Sequence, residues 1–210
     1  MTAVLTAITA LYTAHMPDVN PDVRSYRQLQ ADRTKEQITA AARRLFATHG
    51  YRGTSIEAIA TEAGVGVRTV YAVFGNKKHL LQGVRLAWVL AAQTPDLMNE
   101  AATETDPGRR LALAARWIRR QFESGVDIIA TYSSAAAVDD EMAQEYERVL
   151  AGRRAAVKRL LKGMRDALRE ELSLDDAIAV YLAIGTPETY KELVDVGGWS
   201  PDRYEGWLAT

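Results

Sequence analysis

Cysteine is absent from all 210 residues, which excludes disulfides, thiolate metal sites and a cysteine nucleophile, and suits a reducing compartment. Long apolar runs are absent too: none reaches the ~18 residues that suggest a membrane span. Residues 1–12, MTAVLTAITALY, are apolar but lack the positive start of an export signal, so a cytoplasmic protein with no membrane contact is expected. The three histidines, His15, His49 and His79, form no pair at ligand spacing on a helix. No H-E-x-x-H and no phosphate-cradling glycine motif occurs. The expectation is therefore no catalytic residue, no metal and no cofactor. Hairpin dipeptides between alternating strands are also missing, which leaves little room for a sheet.

What is present is a globular composition, 48% hydrophobic and 25% charged, patterned almost throughout at the helical period. The net charge of −1 conceals an asymmetry. Residues 24–81 hold 10 basic and 4 acidic side chains, whereas residues 82–210 hold 16 and 21. A basic segment joined to an acidic body suits a protein one end of which meets a polyanion.

Residues 1–32 are expected to form an arm, either docked on the body or a second chain or a frayed terminus: Val4, Leu5, Ile8, Leu11 and Tyr12 make a helical stripe, broken by Pro17 and Pro21. From Thr34 the pattern sharpens. Thr34 and Gln37 have the spacing of a capping box, and Ile38, Ala41, Ala42, Leu45 and Phe46 line one helical face up to Gly50. A second box at Thr54 and Glu57 opens a short helix striped by Ile56, Ile59, Ala60 and Ala63 and closed by Gly64. After a tight connection, Val70 and Phe74 form the inner side of a third helix, and Asn76 caps a fourth carrying Leu80, Leu81, Val84, Ala87 and Trp88. Two short helices so closely joined have helix-turn-helix spacing.

Downstream, helices are expected near 95–104, 109–123, 125–138, 140–170, 174–185, 187–195 and 201–209. The 174–185 segment, LDDAIAVYLAIG, is apolar nearly all round after its first turn, as helices buried by a partner often are.

The stretch TAAARRLFATHGYRGTSIEAIATEAGVGVRTVYAVFGNKKHLL resembles the DNA-binding domain of the tetracycline-repressor (TetR) family. The likeness rests on the "LF…HGY" end of the first helix, "TSIEAIA", the "AGV" turn, "TVY…F" and "NKKHLL", all in ungapped spacing. It implies an all-α chain: a three-helix helix-turn-helix DNA-binding domain over 33–80, then a helical ligand-binding and dimerisation bundle over 81–210. It further implies a ligand-responsive regulator, usually a repressor, bound as a homodimer to a palindromic double-stranded operator. A small apolar or amphipathic effector releases it.

Carried onto this sequence, the family's DNA-facing positions fall at Val67, Arg68, Thr69, Tyr71, Ala72 and Val73. Arg68 has the guanidinium fork that pairs with guanine O6 and N7, though a phosphate contact suits it as well. Val67 and Ala72 offer apolar contact to thymine methyls, and Thr69 reaches a base or a phosphate. Tyr71 suits a phosphate oxygen, or else is an amphipathic core residue. Thr54 and Ser55 open an anion-binding helix start, and Lys77 and Lys78 are phosphate contacts. Arg24, Arg27 and Arg33 in the arm are further backbone or minor-groove candidates. Gly66 stands where relatives often have a capping Ser or Thr, and Val73 where they often have His or Tyr, so one phosphate contact is expected to be missing.

In the body, Trp88, Met98, Trp117, Phe122 and Tyr132 are candidates to line an effector pocket, with plain core as the alternative. Dimerisation is expected through the helices near 140–170 and 174–185 in a four-helix contact. Two rival classes remain: an enzyme, and a helical interaction module without a DNA role. The second explains the body but not the basic segment or the spacing of 33–81.

Overall fold

The computed structural model describes residues 25–162, 164, 167–168 and 170–210, and no strand occurs among them. The chain divides into two units, residues 1–35 and 36–210. In the first unit the stripe expected from Val4 to Tyr12, and Arg24, lie outside the described residues.

Helix α1 (Tyr26–Gly53) starts well before the expected Thr34. The capping box is Ser25 with Gln28: the Gln28 amide donates to Ser25 Oγ at 3.3 Å, and the Ser25 amide donates to Gln28 Oε1 at 2.9 Å. Thr34 instead sits inside the helix, its hydroxyl donating to the Gln30 carbonyl at 2.9 Å. So residues 26–32, assigned to the arm, are helical, and Thr34 with Gln37 does not cap the helix start.

In the second unit, α1 buries Ile38, Ala41, Ala42 and Phe46 and kinks at Gly50, whose φ of 70° and ψ of 170° suit glycine. Helix α2 (Ile56–Ala63) ends at Gly64 in the left-handed conformation, with Gly64 and Val65 amides donating to the Thr61 and Ala60 carbonyls. Helix α3 (Val67–Phe74) buries Val70 and Phe74, and α4 (Lys77–Ala91) starts at the Asn76 cap, which accepts from the His79 amide at 2.8 Å. Leu80, Leu81, Val84 and Trp88 face inward on α4, whereas Ala87 is exposed. The chain then turns through Gln93, a left-handed residue whose amide oxygen is held by Arg120 at 2.8 Å.

Helix α5 (Thr94–Thr103) packs on α6 (Pro107–Ala136). The expected break near residue 124 does not occur. Gly125 is the place where the Trp88 indole lies against the α6 backbone: an added Cβ there would stand 2.1 Å from Trp88 Cε2. The glycine is a notch for a neighbour and not a helix end. Helix α7 (Asp140–Lys162) is shorter than the expected 140–170. Helix α8 (Leu174–Ile184) buries Ala177, Ile178 and Tyr181 but exposes Ala179, Val180 and Ala183, so one apolar side is uncovered in the single chain. A short α9 (Pro187–Tyr190), a π-helical turn (Lys191–Val196) and α10 (Pro201–Leu208) follow.

Two apolar cores result. The first joins Ile38, Phe46, Ile59, Val70, Leu80 and Trp88 to Ile128 and Tyr132 of α6 and Met142 of α7. The second gathers Leu97, Trp117, Ile118, Phe122, Leu160, Tyr181 and Tyr204. Helix α6 belongs to both, so it is the rod that links the helix-turn-helix to the body. No described helix is long and apolar enough to cross a membrane.

Candidate nucleic-acid interface

Helix α3 is divided cleanly by burial. Val70 and Phe74 anchor it, and Arg68, Tyr71, Ala72 and Val73 are exposed on its outer side. Tyr71 is 48% exposed, which removes its alternative as a core residue. Arg68 has no hydrogen bond or ion pair among the described residues, so its guanidinium is free for a ligand. Val67 and Thr69 are half-buried, and Val67 packs against the first core, so its outward reach is smaller than expected. Gly66 caps α3 without a side-chain bond, as its position implies.

The start of α2 is arranged differently from the expectation. Ser55 is the N-cap: its Oγ accepts from the Ala58 amide at 3.1 Å, and its own proton remains free to donate outward. Thr54 is 2% exposed and donates to the Leu45 and Gly50 carbonyls at 3.1 and 2.8 Å. The hydroxyl expected at the DNA surface thus stitches the α1–α2 turn, and the N-cap is Ser55 rather than Thr54, with Ala58 at the position where a capping box would need Glu or Gln.

The two lysines of α4 also differ. The Lys77 ammonium lies 4.5 Å over the Tyr51 ring. Burial lowers its pKa, with Asp139 opposing, while burial next to Asp139 and Glu141 pushes the Tyr51 phenol up to about 12. Lys78 is ion-paired with Glu141 of α7 at 2.5 Å, so its charge is already answered by the body. Among the exposed contacts, sequence reasoning missed the partners that fix this head. Arg44 meets Glu62 at 2.9 Å, and Arg43 grips Asp127 of α6 through Nε at 2.7 Å and a second nitrogen at 2.8 Å. The Trp88 indole donates to Ser124 Oγ at 3.0 Å beside them. No local pattern signals partners so far apart along the chain.

The five expected pocket residues do not converge. Trp88 and Tyr132 belong to the first core, and Met98, Trp117 and Phe122 to the second, each 7% exposed or less. Phe122 lines a surface cleft of about 300 Å³ together with Tyr190, Arg43, Glu123, Asp127 and Asp195. The other four are buried within the two cores.

Residues 38–84 match the family model described as bacterial regulatory proteins, tetR family. That segment is less than a quarter of the chain, and the likeness to the family is shown for it. Over 58 residues it is 41% identical to the HTH-type transcriptional repressor NicS of Pseudomonas putida, a match that spans 28% of this chain and 27% of that repressor. Similar folds are the fatty acid degradation regulator FadR of Bacillus halodurans (TM-score 0.65, 19% identity, 84% and 94% of the two chains) and FadR of Bacillus subtilis, solved in complex with stearoyl-CoA (TM-score 0.64, 18% identity, 83% and 95%). At those identities the likeness is one of fold. The family-model match falls on the helix-turn-helix segment.

Proposed function

We propose that the protein is a transcriptional repressor that grips a palindromic operator as a homodimer and lets go when a small molecule binds its body. The observation that carries this reading is the outer side of α3, where a free Arg68 stands with Tyr71, Ala72 and Val73 above a buried Val70–Phe74 anchor.

In a major groove, Arg68 forms a bidentate pair with a guanine, worth ~1–3 kcal/mol of discrimination. Ala72 and Val73 meet thymine methyls by apolar contact. Tyr71, the Ser55 hydroxyl with the free amides opening α2, and Lys77 meet phosphates. Lys78 contributes to the field but is held by Glu141, and Thr54 drops out of the contact set. The uncovered Ala179–Val180–Ala183 side of α8, with the exposed Leu150, Ala151 and Ala155 on α7, supports dimerisation through these two helices.

The release step requires an effector with different affinities for two arrangements of the dimer. Support for an effector comes from the neighbouring fold solved with stearoyl-CoA. The path for its signal is α6, which carries Phe122 in the second core and holds α1 and α4 through Asp127 and Ser124. A fluorescence-anisotropy titration with duplexes from promoter regions tests the reading. Binding that weakens steeply with salt, and tightens on one palindromic site, is the expected result. A chain that ignores duplex DNA at low salt contradicts it and favours an interaction module.

A further inference from the structure

The second core holds polar groups that the fold itself does not answer. Tyr204 is 0% exposed and Tyr181 6%, and neither hydroxyl has a hydrogen-bond partner. Arg153 of α7 stands beside them. Its guanidinium lies 5.8 Å over the Phe122 ring and donates to the Gly185 carbonyl just past α8. Arg153 forms no ion pair among the described residues. Glu188 acts on it only at longer range, and that side chain is exposed. Burial lowers the guanidinium pKa and raises both phenols, Tyr204 to about 12, so near neutrality the phenols are protonated donors. A half-buried cation without a counterion, next to two buried idle donors, is an expensive arrangement for a structural core.

We propose that Arg153, Tyr181 and Tyr204 anchor the carboxylate of a small acidic effector, whose apolar part lies among Ile118, Phe122 and Tyr190. The chemistry is matched on each side. A guanidinium presents two parallel N–H groups to a carboxylate, and the carboxylate's remaining lone pairs accept from the two phenols. One guanidinium balances a single negative charge, so a carboxylate suits the site better than a phosphate dianion. The apolar wall is present in the same cluster: Phe122 lies 5.9 Å from Tyr190, and Tyr190 meets Tyr204 edge-on at 5.0 Å. The surface cleft on Phe122 and Tyr190 is a different place, and its rim of Glu123, Asp127 and Asp195 disfavours an anion. The inference rests on the repressor reading and names the class of molecule that operates it. Phe122 then transmits the event along α6, toward the Ser124 and Asp127 contacts that hold α4 and α1.

The full chain is titrated with sodium octanoate, benzoate and phenylacetate, with their primary amides, and with inorganic phosphate, following Tm and intrinsic fluorescence. At least one carboxylate should raise Tm while its amide and phosphate do not, and Arg153→Gln should weaken that carboxylate at least tenfold. Tyr181→Phe and Tyr204→Phe should each weaken it severalfold, yet leave the unliganded Tm unchanged or higher, because no hydrogen bond is lost. Should R153Q fail to fold, Arg153→Lys serves, keeping the charge and losing the fork. The proposal is overturned if no carboxylate shifts Tm, if amides or phosphate act as well, if the Arg153 variant binds like the original, or if either Tyr→Phe change lowers the unliganded Tm by several degrees. Duplex binding separates the two readings. Carboxylate binding through Arg153 without any duplex binding keeps the site and removes the repressor. Release of duplex by a non-acidic compound, equally in R153Q, keeps the repressor and removes the site.

Discussion

Gly125→Ala tests how the reading head is joined to the body. An alanine Cβ at this position would stand 2.1, 2.3 and 2.4 Å from Trp88 Cε2, Nε1 and Cζ2, where carbon contacts settle near ~3.5–4 Å. The indole must therefore move by more than an ångström. It is 7% exposed and tethered to Ser124 Oγ at 3.0 Å, so it has little room. Overpacking of this kind costs ~1–3 kcal/mol, and loss of the indole hydrogen bond adds ~1 kcal/mol. The gain in helix propensity from Gly to Ala returns ~1 kcal/mol. The net expectation is destabilisation by ~1–3 kcal/mol, which for a chain of this size lowers Tm by several degrees at ~2–4 °C per kcal/mol. Gly206→Ala is the control: it is exposed in α10 with nothing within 4 Å, so it should stabilise by ~0.5–1 kcal/mol. Trp88→Phe in the G125A background should recover part of the loss, because a smaller ring fits the narrowed notch. Thermal unfolding by circular dichroism reads all three. If G125A raises Tm as G206A does, the close seating of Trp88 on α6 is wrong.

Other expectations follow from the same contacts. Val180→Glu places a charge on the uncovered side of α8 and should convert a dimer to monomers by light scattering, with little change in helicity. Lys77→Ala should weaken all duplexes alike and flatten the salt dependence by about one ion per half-site. Tyr51 and Tyr204 have folded pKa values raised to about 12 from an ordinary 10, so their contribution to stability is fully present below pH 10 and is lost as pH rises through about 12. Absorbance titration at alkaline pH should accordingly show a late-ionising group of tyrosines that titrates normally in denaturant.

Much of the reading head was legible because its signals are local. Apolar residues at helical spacing located α1 to α4, and Gly64 and Asn76 marked an end and a start by backbone chemistry alone. The errors arose where two local signals compete or where a partner is remote. Ser25 with Gln28 outcompetes Thr34 with Gln37 for the same capping role, and Thr54 turns inward because Ser55 is one residue nearer the helix. Gly125 read as a break since nothing nearby reveals Trp88, and the aromatic residues expected to form one pocket are shared between two cores. Arg153 was invisible as a cation at the edge of the second core because an exposed and a half-buried guanidinium look alike in sequence.

The central claim is that α3 reads DNA through Arg68, and selection of bound duplexes from a randomised pool, read out by sequencing, tests it most directly. The account predicts a palindrome with one strongly preferred guanine in each half-site, a preference that Arg68→Ala relaxes at that base pair while weakening binding. Enrichment of no palindrome, or an unchanged base preference and affinity in R68A, would contradict it.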